Sequence, residues 1–412
     1  MLLLCGLCGA GNCQVLSPPQ RAASLAELNA LLMASNPDIR LAAAAVRGSD
    51  ALVRSANTSP NPTLGIGASS ISNVEGIGPG PLKDKRIDQS LRIDRTFERG
   101  NKRALRTNAA KEGVQASRLD FSDVVRTVRM QLVSTYYDLL AAQERAAAAA
   151  QAQQSSAQLA RLAKTRQSAG DLSASDVNRI NIDLSRATND AESARLDVRR
   201  ANEALANLIN DRSALDFQVS EVWPETGSST DQDIEPFVDA RPDVQAARHR
   251  VDQSRLNLSL AESQRTRDVS LGAQVDRNAA QIGGVTFGVF LSVPLFLGND
   301  FSGDIAKAQA DLLSAESQLE KVRAASRADW RRMQAETRSL EGRWARYRDD
   351  ILPNIARSTQ SAELAFRNGA ISIADLLDAQ RTARALQAEA VQSHADLAKS
   401  QLNLEIMKQS SQ

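Results

Sequence analysis

The sequence predicts an α+β protein built as a duplicated unit, with four short amphipathic β-strands placed before and between long antiparallel α-helical hairpins. Three observations carry this expectation. The first is an internal repeat. Asn36-Pro37-Asp38-Ile39 returns as Arg241-Pro242-Asp243-Val244, and Leu64-Gly65-Ile66-Gly67-Ala68 returns as Val269-Ser270-Leu271-Gly272-Ala273, both at an offset of 205. The octapeptide GDLSASDV at 170–177 returns as GAISIADL at 369–376, at an offset of 199, so the second copy loses about six residues in a loop. The second observation is a seven-residue repeat. Apolar or small residues run Val177, Ile180, Leu184, Ala187, Ala191, Ala194 and Val198 in steps of three and four, and the second copy keeps the phase through Leu376, Ala379, Ala383, Leu386 and Ala390. Such heptads mark coiled-coil packing, and the alanines let the helices approach closely. The third is period-two alternation in four short segments, taken up in order below.

Composition agrees with helices packed through small side chains. Of 412 residues only 4% are aromatic, while the formal net charge of +1 provides no field to draw nucleic acid. Cys5, Cys8 and Cys13 all fall in MLLLCGLCGAGNCQ, and residues 1–20 read as a secretory signal peptide lacking its positively charged start. Cys13 is alternatively a lipid-anchored cysteine. With the segment removed, no disulfide framework or thiolate metal site is possible. Nothing after residue 20 approaches eighteen consecutive apolar residues, so a membrane crossing would be made by strands.

The first repeat covers 21–210. Its strands are expected at about 63–71, through Leu64, Ile66 and Ala68, and 87–97, through Ile87, Leu91, Ile93 and Phe97; its hairpin spans about 102–210. Residues 211–240, with Trp223-Pro224 and a Gly-Ser-Ser-Thr run, form the linker. The second repeat covers 241–408, with strands at about 268–276 and 286–296 and a hairpin over about 302–408. Strands of this kind suit a barrel with lipid outside and water inside; an ordinary half-buried soluble hairpin is the competing reading. Pro294 near the end of the fourth strand is tolerable at a strand-to-helix passage. The loops 73–86 and 277–284 are turn-rich, and no helix follows them to hold a phosphate. The first arm of each hairpin, about 102–168 and 302–367, would reach about 100 Å at 1.5 Å per residue.

The repeated octapeptide is a stop-and-restart signal. Gly170 and Gly369 allow the left-handed conformation that ends a helix. Ser173 and Ser372 cap the next helix, with Asp176 and Asp375 three residues on as in a capping box, and Leu172 with Val177, or Ile371 with Leu376, are spaced as a hydrophobic staple. Capping accounts for Asp176 without any further role. Asp378 lies one turn beyond Asp375 on the same face, and Arg179 occupies its place in the first copy, so the second turn alone carries an acidic pair. His249 and His394, the two histidines, read as seam-side or solvated residues, and no nucleophile elbow, His-x-x-x-His or clustered carboxylate pair suggests an enzyme, a cofactor or a metal centre.

Together these features resemble the TolC-type outer-membrane factors, and look most like their CzcC-like heavy-metal efflux branch. The matching residues are Asn61-Pro62-Thr63-Leu64, the passage Phe97-Glu98-Arg99-Gly100-Asn101-Lys102-Arg103, Val293-Pro294-Leu295-Phe296, and Asn368 through Ser372 with Leu376 to Gln380, within a resemblance that covers about 24–408. Asn101 departs from the branch, which usually shows a second glycine there. The resemblance implies a homotrimer whose strands form a transmembrane β-barrel in outer-membrane lipid and whose hairpins form a periplasmic α-barrel. It implies a passive duct without cofactor, coupled through a periplasmic adaptor protein to an inner-membrane RND-type pump, exporting heavy-metal cations or, alternatively, drugs and other organic solutes. It places the turns at Gly170, Leu172, Ser173, Gly369, Ile371 and Ser372 against the adaptor and assigns Asp375, Asp378 and Asp176 to a periplasmic gate. Sequence alone demands oligomerisation, because four strands leave open edges in lipid, but does not choose between two and three subunits. A periplasmic coiled-coil protein without a pore is the reading of another class; it leaves the strands without a use.

Overall fold

The computed structural model describes residues 21–74, 76–81, 85–212, 217–219, 223–224, 234–278 and 284–409. The predicted signal segment with its three cysteines, and most of the 211–240 linker, lie outside the described residues. In chain order the elements are β1 (Arg21–Ala23), α1 (Leu25–Ser35), α2 (Pro37–Ala56), β2 (Thr63–Ser69), β3 (Asp88–Phe97), α3 (Lys102–Ser168), α4 (Ala174–Ile209), β4 (Phe217–Val219), α5 (Glu235–Ala240), α6 (Pro242–Ser263), β5 (Val269–Arg277), β6 (Val285–Ser292), α7 (Ser302–Arg346), a π-turn (Tyr347–Ile351), α8 (Leu352–Arg367) and α9 (Ile373–Gln409). They form two compact units, each drawing segments from both sequence repeats.

One unit, built from Asp38–Arg126, Gln232–Arg331 and Met407–Gln412, carries the four-stranded antiparallel sheet in the order β2-β3-β5-β6. Its register sorts the side chains by face. Leu64 pairs with Ile93, Ile93 with Ala273 and Ala273 with Val289, while on the opposite face Gly65 pairs with Arg92, Arg92 with Gln274 and Gln274 with Gly288. The burial is inside-out: Leu91, Ile93 and Phe97 are exposed, whereas Arg92, Asp94 and Thr96 between them are half-buried. A soluble hairpin hides its apolar face, whereas here no described part of the chain covers it. The polar face is organised by Arg92, whose Nε and Nη2 each donate to the Asp94 carboxylate at 2.8 Å and whose guanidinium lies over the Phe290 ring at 4.6 Å. Gly272 leaves the room that the Asp94 carboxylate fills.

The passage from β3 into α3 is an ion-paired knot. Arg106 binds Glu98 at 2.8 Å and the carbonyls of Ala56 and Thr58, while the buried Lys102 ammonium donates to Asp268 Oδ1 and the Thr266 carbonyl. Gly100 and Asn101 both take left-handed backbone, with φ of 72° and 58°. Asparagine is among the few non-glycine residues that tolerate this region, which explains how the chain keeps the turn where a second glycine was expected. Phe301 (φ 61°) stands in the corresponding place before α7, and its carbonyl accepts from Ile305 as that of Asn101 does from Leu105. The fourth strand ends at Ser292, so Pro294, expected inside it, follows it instead.

The other unit, from Met1–Pro37, Thr127–Asp231 and Arg332–Ile406, is helical apart from the two-stranded parallel pairing of β1 with β4. Sequence alternation had not signalled these three-residue strands. Its core includes Leu28, Leu32, Leu132, Tyr136, Leu139, Leu205, Ile209 and Leu397, all essentially without solvent contact. Asn36 Nδ2 donates to the Leu208 carbonyl at 2.8 Å, tying the end of α1 to the end of α4. The run expected as one helix over 302–367 is interrupted by the π-turn. Pro353 has no N–H for the carbonyl four residues back, and the Leu352 N–H reaches instead to the Tyr347 carbonyl, an i to i+5 bond that takes up the mismatch.

Candidate functional site

The two repeated octapeptides form the turns α3–α4 and α8–α9, both in the helical unit. Each turn begins with a left-handed glycine, Gly170 at φ 87° and Gly369 at φ 74°. The Asp171 N–H donates to the Arg166 carbonyl at 2.9 Å and the Gly170 N–H to Gln167 at 3.0 Å; Ala370 to Ala365 and Gly369 to Phe366 repeat the pair at 2.8 and 3.1 Å. This is the Schellman arrangement, which satisfies carbonyls that the end of a helix would otherwise leave open. The restart also follows the expected chemistry. Ser173 Oγ accepts from the Asp176 N–H at 3.1 Å, and Ser372 Oγ accepts from the Asp375 N–H at 3.2 Å. In the second turn the box is reciprocal, since Asp375 Oδ2 accepts from the Ser372 N–H at 3.1 Å.

The turns share one apolar core. Ala163, Ile180, Ile373, Leu376 and Leu377 are buried together, with Leu172, Val177, Phe366 and Ile371 packed around them. Both predicted staples therefore close onto the same cluster, and the two hairpin ends form one body.

The three acidic residues differ in how much of their charge is already engaged. Asp176 is half-buried, bonds to Ser173 Oγ at 2.7 Å and pairs loosely with Arg179 at 3.9 Å. Asp375 is exposed, but its Oδ2 is taken up by the cap, accepting from both the N–H and the hydroxyl of Ser372. Asp378 is exposed, and its place past the cap leaves its carboxylate outside those contacts.

A charged cluster beyond the turns was missed in the sequence. Asp183 on α4 is buried; its Oδ1 accepts from Arg381 Nε at 3.1 Å and its Oδ2 from Arg384 Nη2 at 3.2 Å. Ser156 Oγ on α3 donates to the same Oδ2 at 3.2 Å, so one carboxylate joins three helices of the two hairpins. The available signal was the difference between the copies: the first has Asp183 where the second has Thr382, and the second has Arg384 where the first has Ser185.

The chain matches the outer membrane efflux protein family over residues 28–211 and 237–407. It belongs to that family. One relative, the cobalt-zinc-cadmium resistance protein CzcC of Cupriavidus metallidurans, is 25% identical over 353 residues, which cover 78% of this chain and 80% of that protein. The fold is that of solved channels. CusC, whose structures concern folding and transmembrane channel formation, superposes with a TM-score of 0.79 at 16% identity, over 94% of this chain and 91% of its own. The CmeC outer membrane channel of Campylobacter jejuni gives 0.79 at 16% identity, over 94% and 86%. The VceC outer membrane protein of Vibrio cholerae gives 0.76 at 17%, over 93% and 96%. In this outer-membrane efflux protein the inside-out sheet and the paired turns are thus parts of a channel fold.

Proposed function

We propose that the chain is the outer-membrane duct of a tripartite efflux system, a homotrimer giving heavy-metal cations a passive path out of the periplasm. The observation that carries this reading is the sheet. Its apolar face is exposed and its edges, β2 and β6, have no partner strand among the described residues, so in lipid it must be closed by further copies. Three copies would make a twelve-stranded barrel, the number implied by the resemblance. The cargo rests on the relation to CzcC, a cobalt-zinc-cadmium resistance protein. The turns would meet a periplasmic adaptor and, through it, an inner-membrane RND-type pump.

Within this reading Asp378 is the main gate carboxylate, because Asp375 and Asp176 are occupied by capping. Carboxylates gathered around a constriction favour cations and, by mutual repulsion, hold its shape under charge control. The Asp183 cluster would keep the hairpins together behind them. Deleting the gene should sensitise cells to cobalt, zinc and cadmium and leave hydrophobic-drug tolerance unchanged; sensitivity to drugs alone would assign the duct to organic solutes. In planar bilayers, Asp378→Ala should change single-channel conductance and lower cation preference, whereas Asp375→Asn, which keeps an acceptor for the cap, should change them less. Unaltered conductance and selectivity in Asp378→Ala would remove it from the gate.

A further inference from the structure

Away from the turns, in the strand-bearing unit, three side chains with metal-ligand chemistry come together. His249 and Asp252 are three residues apart on α6 and so share a face, and Glu112 approaches from α3. His249 Nδ1 lies 2.7 Å from Glu112 Oε2, and one donor atom from each of the three residues lies within 4.8 Å of the others. Glu112 and His249 are half-buried and Asp252 is exposed.

The spacing of the two helices does not depend on this cluster. Gly113, beside Glu112, leaves room for the Gln253 amide, whose Nε2 would stand 2.9 Å from a β-carbon at that position. Arg250, next to His249 on α6, pairs with Asp120, about two turns past Glu112 on α3. The donors are therefore presented by elements already held in place, which lowers the ordering cost of binding an ion.

We propose that Glu112, His249 and Asp252 bind one divalent cation of the borderline class, such as Zn²⁺, Co²⁺ or Ni²⁺, in place of the His249–Glu112 hydrogen bond. An imidazole with two carboxylates suits these ions, whereas Ca²⁺ and Mg²⁺ select all-oxygen sites and soft Cu(I) selects sulfur. Tetrahedral bonds of about 2.0–2.1 Å put donor atoms about 3.3 Å apart. Reaching that spacing requires a turn of the Asp252 side chain, the most exposed of the three. Its competing partner is Arg255, an exposed i,i+3 pair at 3.1 Å, which is a weak restraint. Three protein donors leave a fourth position for water, and the bound ion clips α6 to α3. The site would exist whether or not metal is the exported solute.

The test is titration of the purified, chelator-treated full chain in detergent with Co²⁺, followed by its visible absorption, and with Zn²⁺ by calorimetry. One equivalent per chain should bind with a tetrahedral Co²⁺ spectrum. Affinity should fall at least about tenfold in His249→Ala and in Asp252→Asn. The second variant alters only an exposed side chain, so its loss of binding cannot be ascribed to misfolding. Absence of binding, equal affinity for Mg²⁺, or undiminished affinity in both variants would each overturn the proposal.

Discussion

His394 shows how much a single residue can depend on partners distant in the chain. Its imidazole is stacked between Trp344, at 4.0 Å and 6°, and Trp223, at 4.2 Å and 23°; Tyr137 continues the stack beyond Trp223 at 5.7 Å. Trp223 Nε1 donates to Glu144 Oε1 at 2.8 Å, so this residue of the linker is fastened to α3 and packed against a ring of α9. Burial pushes the His394 imidazole down from 6.5 to about 4. A folded value below the free one means that the unfolded chain binds the proton first, so the contribution to stability is complete above about pH 6.5 and is lost as pH falls toward 4. Indole fluorescence should therefore quench with a midpoint near 4, not near 6.5, and His394→Phe should abolish that step. The same variant should flatten the fall in unfolding midpoint between pH 7 and 5, an effect of about 1 kcal/mol for a partly exposed group. A midpoint near 6.5 would mean that the ring is not held dry. Its place on a helix suggests only a seam-side or solvated histidine, because nothing local to His394 announces two tryptophans from elsewhere in the chain.

At the scale of elements, local chemistry was legible and shared packing was not. Gly170, Ser173, Asp176 and their counterparts state a stop and a restart within eight residues, and the hydrogen bonds follow that statement. Whether Leu172 and Ile371 pack within their own turns or against one another is not local, and the structure places both against a single cluster. Pro353 illustrates the opposite error. Its effect is local, yet the long helical run expected over about 302–367 passes straight through it, and only the π-turn reconciles the two. The common core makes a prediction about coupling. Leu376→Ala removes a buried side chain, 3% exposed, at an expected cost of about 2–5 kcal/mol. Hydrogen exchange should then rise across the α3–α4 turn, around 159–180, as well as in the variant's own turn. Faster exchange confined to 366–377 would show that the turns open independently.

For the molecule as a whole, alternation along each strand revealed which side chains share a face, but not which medium that face meets. The same Leu64, Ile66, Leu91 and Ile93 would suit a soluble sheet with its apolar side covered. Nor did the repeat reveal the order β2-β3-β5-β6, in which β3 of the first copy is joined to β5 of the second, so that the duplicated halves make one sheet and not two. The burial pattern adds what alternation could not, that nothing described in this chain covers the apolar face: Val289 is 78% exposed in the middle of β6, opposite Ala273, while Gln274 on the other face is half-buried and bonded to Asp276 at 2.6 Å. A charge placed on the lipid side of a barrel near mid-membrane costs about 2–4 kcal/mol, and the same charge on the water side costs little. Val289→Arg should therefore sharply reduce the amount of heat-stable oligomer recovered from outer membranes, whereas Gln274→Arg should assemble normally and change only conductance. The two substitutions introduce the same side chain on adjacent strands, so a difference between them reports the face and not the residue. Equal assembly of both variants would mean that the apolar face is covered by protein, and the sheet would then have to be closed in some way other than as a barrel in lipid.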